Sequence, residues 1–144
     1  MTQSTFSPSI LSRPVYAVLD SHGATPALML ADAEGAAALI ELAERDASVM
    51  EHAHLIFIPG GADYGARLRA LGPRMYREGP SYAAILPRFR KALADAQMGL
   101  RLYLAGTEGL IGQATAEALA AGLPADAIQA EHRGSIARRM QCVH

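Results

Sequence analysis

Apolar and polar positions alternate in blocks along the chain, and the blocks come in two lengths. Short apolar runs occupy residues 14–19 (with VYAVL), 27–31 (ALMLA), 54–58 (HLIFI) and 100–104 (LRLYL), each closed by acidic residues, proline or glycine. Runs this short, bounded this way, predict strands, and the wholly apolar 27–31 belongs at the centre of a sheet. Three longer stretches carry the helical period instead. Ala36, Leu39, Ile40, Leu42 and Ala43 share one face of a first helix. Ile85, Phe89, Leu93 and Ala96 form a stripe on a helix over 82–97, where Pro87 implies a kink or a later start. Leu110, Ile111, Ala114, Ala118 and Leu119 form the inward face of the last helix, closed by Gly122 and Pro124.

Residues 126–131 read as a short final strand. Residues 62–81 read as irregular, with an edge strand near 74–77. The order β-β-α-β-(β)-α-β-α-β predicts an α/β protein, a three-layer sandwich on a mainly parallel sheet. Ligands in such folds sit at the carboxyl ends of the strands, here near 32–35, 60–64 and 106–109. The expected organisation is a flexible arm at 1–12, one α/β domain at 13–132 and a basic tail at 133–144.

Length and composition agree with one folded unit. The 144 residues are 51% hydrophobic and 19% charged, enough to bury about two-thirds of the unfolded surface. The net charge of −1 gives no electrostatic case for nucleic acid or an anionic membrane. A single cysteine forms no internal disulfide, so a reducing cytoplasm is expected. Residues 1–9 lack the basic and apolar parts of a signal peptide, and no apolar run approaches a membrane span.

The stretch 100–123 carries the clearest motif. A buried strand ends at Gly106, Thr107 stands where a helix N-cap belongs, and a helix follows. Gly106, Gly109 and Gly112 are spaced G-x-x-G-x-x-G, which is neither the dinucleotide fingerprint nor a P-loop. They serve either a turn and a close helix–sheet approach, or, with Thr107, an anion site at the helix N-terminus. Glu108 in the first turn complements the helix dipole and competes with a phosphate there. Asp32 and Glu34, at the start of the first helix, are likewise capping chemistry rather than phosphate-binding chemistry.

Other clusters are weaker. Asp20, Ser21 and His22 are sequence neighbours whose side chains point apart, so they make no catalytic triad. His52 and His54 have the spacing of one strand face but no obvious third metal ligand. Arg67, Arg69, Arg74 and Arg77, with Tyr64 and Tyr76, form either a solvated face or a clamp for an anion or a partner. In the tail, Arg133, Arg138 and Arg139 have little apolar company and are expected to dock on another subunit, with the domain core ending near Glu131.

From Leu28 to Arg133 the layout resembles the nicotinamide-binding domain of ferredoxin reductases and of the reductases of multicomponent oxygenases. Leu102-Tyr103-Leu104-Ala105-Gly106-Thr107 stands where that family has tyrosine-x-cysteine-glycine-proline. Ala118-Leu119 to Gly122-Leu123-Pro124 matches its helix end, and Ile128 to Glu131 its last strand. The departures are chemical. Ala105 replaces the nicotinamide-facing cysteine, Arg133 replaces the closing aromatic, and Asp32-Ala33-Glu34-Gly35-Ala36 replaces the glycine-rich pyrophosphate loop. The resemblance implies a reductase-type fold that has lost its cofactor.

A closer resemblance covers nearly the whole chain. Glu131 to His144 (EHRGSIARRMQCVH), together with Ala105 to Gly112 (AGTEGLIG), is similar to the small accessory subunit of bacterial dimethylamine monooxygenase, a heme-dependent oxidative N-demethylase. The resemblance implies a non-catalytic subunit of a monooxygenase complex, not an enzyme by itself, which holds or links two partners. These are a heme-containing oxygenase subunit and a flavin/iron–sulfur (FMN) reductase subunit. Arg67, Arg74, Arg133, Arg138 and Arg139 are the expected partner contacts. In that family the tail runs into a cysteine-rich ribbon that binds zinc or iron. Such a ribbon is missing from this sequence, and Cys142 is a metal ligand only if one follows. The alternative function, from another class, is a free-standing nucleotide- or anion-binding α/β module using the Gly106 to Gly112 turn.

Overall fold

The computed structural model describes residues 18–61, 63–95 and 99–133. Five strands alternate with helices: β1 (Ala27–Asp32), α1 (Gly35–Arg45), β2 (Ala53–Ile58), α2 (Gly65–Ala70), β3 (Met75–Glu78), α3 (Tyr82–Ala94), β4 (Arg101–Gly106), α4 (Glu108–Ala120) and β5 (Ile128–His132). Short 3-10 turns at Ala47–Met50 and Ala125–Ala127 lead into β2 and β5. The sheet order is β3-β2-β1-β4-β5, and every pairing is parallel. The chain winds outward from β1 to β3, crosses back, and winds outward again through β4 and β5.

Period-2 alternation in the strands divides the core. Ala27, Met29 and Ala31, with Leu55, Phe57, Tyr103 and Ala105, face α1 and Leu68 of α2. Leu28 and Leu30, with Ile56, Leu102 and Leu104, face Ile85, Phe89 and Leu93 of α3 and Leu110, Ile111, Ala114 and Ala118 of α4. Both faces are covered, which is why the central strands read as apolar throughout. The three-layer α/β architecture expected from the sequence is the one observed.

Several local expectations change. The stretch 62–81 contains the helix α2 as well as the expected edge strand, β3. Six residues carrying a single buried apolar side chain, Leu68, show too little periodicity to betray a helix. Helix α3 starts at Tyr82, capped by the Ser81 hydroxyl, with Pro87 inside it. Leu119, assigned to the inward face of α4, is 47% exposed. Of the strand expected at 14–19, only Val18 and Leu19 lie within the described residues, and neither is in a strand. The Leu19 N–H instead donates to Glu131 Oε1 at 2.9 Å, tying the entering chain to β5. The arm at 1–12 and the tail beyond Arg133 lie outside the described residues.

Candidate functional site

The winding reverses between β1 and β4, which are paired neighbours. From the carboxyl end of β1 the chain turns to one face as α1, and from that of β4 to the other face as α4. In open α/β sheets this crevice is where ligands bind. Here a side chain of the protein occupies it. Asp32, last residue of β1, accepts the Thr107 backbone N–H on Oδ1 and the Thr107 hydroxyl on Oδ2, both at 2.9 Å. Thr107 also caps α4 as expected, its hydroxyl oxygen accepting the Leu110 N–H at 3.2 Å. Three donors near this helix N-terminus, the Thr107 N–H and hydroxyl and the Leu110 N–H, are therefore engaged by the chain itself.

Backbone approach seals the crevice further. Gly106 has φ +136°, and a Cβ there would lie 1.9 Å from Asp32 Oδ1. A Cβ on Gly35, the first residue of α1, would lie 2.2 Å from the Ala105 carbonyl oxygen. Gly35 is thus the residue of closest helix–sheet approach. That role was expected of Gly109 and Gly112, but a Cβ at either would meet nothing within 4 Å. Ala33 is held at φ +47°, a left-handed conformation that costs an alanine about 1–2 kcal/mol. Its N–H donates to the Ile58 carbonyl at 2.9 Å, which anchors the strained turn on β2.

The acidic residues of this turn do not cap α1. Glu34 is the N-cap by position, yet its side chain makes no capping bond. Glu34 Oε1 accepts the Tyr64 hydroxyl at 2.9 Å, and this bond raises the Tyr64 pKa. The capping role expected of Asp32 is replaced by the cross-strand bonds to Thr107.

The arginine-rich segment is divided rather than gathered. The Arg67 guanidinium lies over the Tyr64 ring, 5.8 Å from its centroid, and Arg69 over Tyr76 at 4.9 Å. Arg69 pairs with Glu78 at 3.2 Å, and Glu78 also accepts the Tyr76 hydroxyl at 2.6 Å. Burial, then that bond, pushes the Tyr76 pKa upward. Arg74 lies at the opposite, amino end of β3, away from the switch point.

His52 sits in the turn before β2 and His54 within the strand. No group of three or more possible metal ligands occurs among the described residues. His54 Nε2 is buried without a hydrogen-bond partner among the described residues, and burial, then Arg88 and Arg77, lowers its pKa. Ser21 donates to Asp46, and the His22 N–H donates to the Tyr103 hydroxyl, so no triad forms. Arg133 differs from its expected role: its guanidinium is paired inside the domain, with Glu41 and Glu131. Arg138, Arg139 and Cys142 lie outside the described residues. Among the described residues, no helix is long and apolar enough to cross a membrane.

Known structures share the fold. The flavohemoglobin of Malassezia yamatoensis, with bound FAD and heme, aligns with a TM-score of 0.54 at 12% identity, over 76% of this chain and 32% of its own. The flavohem-like FAD/NAD-binding domain of nitric oxide dioxygenase from Vibrio cholerae O1 biovar El Tor aligns with a TM-score of 0.55 at 13% identity, over 85% of this chain and 56% of its own. The chain thus spans less than two thirds of either, and at such identity the likeness is one of fold. It is the reductase-type fold expected from the sequence. No curated protein matches the chain. Residues 8–128 match the family described as dimethylamine monooxygenase subunit DmmA-like, N-terminal domain, and the chain belongs to that family.

Proposed function

We propose that this chain is a cofactor-free accessory subunit of a heme-dependent dimethylamine monooxygenase, the assembly that demethylates secondary amines oxidatively. It holds or links the heme-containing oxygenase subunit and the flavin/iron–sulfur reductase subunit, and performs no chemistry alone. Family membership supports the assembly. The observation that carries the accessory role is the Asp32 carboxylate seated on Thr107 at the switch point. A phosphate placed there would find the Thr107 N–H and hydroxyl already taken and meet a carboxylate within a few ångströms. That repulsion is on the order of several kcal/mol at moderate dielectric, comparable with the whole affinity of a weak cofactor site. In this reading the arginine-rich segment with Arg67 and Arg74 and the tail with Arg138 and Arg139 contact the partners, and heme, FMN and iron–sulfur centres reside in those partners.

Calorimetry with NADH, NADPH and FMN tests the cofactor-free state. The expected result is no binding tighter than roughly 10 μM, about −7 kcal/mol. Tighter binding would establish the rival, a free-standing nucleotide-binding module. Co-purification of the tagged chain with a heme-bearing and a flavin-bearing subunit from an organism growing on dimethylamine tests the linking role. Recovery of neither overturns it.

A further inference from the structure

We infer that the concavity at the amino end of the sheet is a binding site for a small organic carboxylate, an anionic head on an apolar body. The space, about 640 Å³, lies between the starts of β1, β2 and β3 and the second half of α3, opposite the sealed switch point. That volume is typical of small-molecule sites. Its apolar lining includes Pro26, Leu28, Ala92 and Leu100.

Three cations, Arg74, Arg88 and Lys91, line this space against one carboxylate, Asp95. Asp95 is already paired with Lys91 at 3.1 Å. Arg74 and Arg88 make no ion pair among the described residues. The remaining residues, 1–17, 62, 96–98 and 134–144, contain no aspartate or glutamate. No acidic side chain of those segments is therefore available to neutralise the two guanidiniums. Arginine suits a carboxylate, because its planar fork donates two parallel bonds and is weakly hydrated.

His54 gives a second, independent sign. It stands in register between Leu28 of β1 and Met75 of β3, and it lines the same space. Its buried Nε2 has no hydrogen-bond partner among the described residues. A buried polar atom left unpaired costs about 1–3 kcal/mol, and a rotation of the imidazole that turns Nε2 into the space lets a ligand oxygen accept its proton and recover that cost. The apolar lining favours a monocarboxylate over an inorganic dianion, and the negative carboxyl end of α3, which opposes any anion, opposes a dianion more strongly.

Titration of the isotope-labelled full chain with benzoate, read by the imidazole resonances of His54, tests the site. The expected result is a saturable shift with a midpoint below roughly 10 mM, with benzamide and inorganic phosphate at least about tenfold weaker. Arg88→Gln should weaken benzoate at least tenfold. Both arginines are exposed, so the variants should fold, and an unchanged amide spectrum away from the site confirms it. Arg74→Gln is the second variant. No saturable shift of His54, equal binding of phosphate, or full benzoate affinity in the Arg74→Gln/Arg88→Gln double variant would each overturn the assignment.

Discussion

Arg133 Nη2 lies 2.5 Å from Glu41 Oε1, joining the residue after β5 to the outer face of α1. The same nitrogen is 2.6 Å from Glu131 Oε2, and the Arg133 N–H donates to the Gly106 carbonyl at 2.8 Å. Glu131 is buried, and it also accepts the Leu19 N–H. Arg133 is therefore held on the domain by both its backbone and its side chain.

Arg133→Ala should accordingly destabilise the domain by about 1–3 kcal/mol, because it leaves the Glu131 carboxylate buried with one charged partner fewer. Arg138→Ala with Arg139→Ala should leave the melting temperature within a degree or two and weaken assembly, more strongly at low salt. Thermal melts and salt-dependent binding to the partner subunits check both. Unfolding of the isolated domain by the double variant would end the docking role of those two arginines.

Alanine substitutions separate the glycines by role. Gly35→Ala would drive a methyl into the Ala105 carbonyl, so a loss of about 1–3 kcal/mol or more is expected. Gly112→Ala, inside α4 with open space around it, should gain about 0.5–1 kcal/mol. Urea unfolding of the two variants measures the contrast.

Removal of the carboxylates at the switch point tests why a dinucleotide is excluded. Asp32→Gly with Glu34→Gly should raise NADH affinity measurably at low salt. Its stability should fall by about 1–3 kcal/mol, because the Thr107 N–H loses its acceptor. Unchanged NADH affinity in a folded double variant would mean that the Gly35–Ala105 approach blocks the site sterically and that charge has no part.

Acid should destabilise the protein in two steps. His54 is held below its usual pKa of 6.5, chiefly by burial, so its contribution is fully present above that value. Below it the unfolded chain takes up a proton that the folded imidazole refuses, and stability declines. Glu41 is held below 4.5, chiefly by its hydrogen bond to Arg133, so its contribution is lost as pH falls through the folded value. Thermal melts between about pH 7.5 and pH 3 should show both phases, with His54→Gln flattening the upper and Glu41→Gln reducing the lower, to which Asp46, held below 3.8 chiefly by its hydrogen bonds from Ser21 and Ser48, also contributes.

By itself the sequence determined the architecture, because periodicity and punctuation are local. The five-residue apolar run at 27–31, bounded by turn residues, reads as a strand covered on both faces, and Thr107 after Gly106 announces a capped helix. The family resemblance was legible in the same way, in contiguous residues from Ala105 to Gly112. What the tertiary structure decided are the relations between residues far apart in the chain. Asp32 and Thr107 are 75 positions apart, and only the β1–β4 pairing makes the carboxylate the partner of the cap. Gly35 is indispensable because of the Ala105 carbonyl beneath it, whereas a Cβ on the conspicuous Gly109 or Gly112 would meet nothing within 4 Å. Arg133 reads in the sequence as a docking charge for another subunit, and only the placement of β5 brings it to Glu41, 92 residues away. Spacing along the chain reports which face a side chain shares with its neighbours, and the packing of β1, β4 and β5 with the helices decides what that face meets.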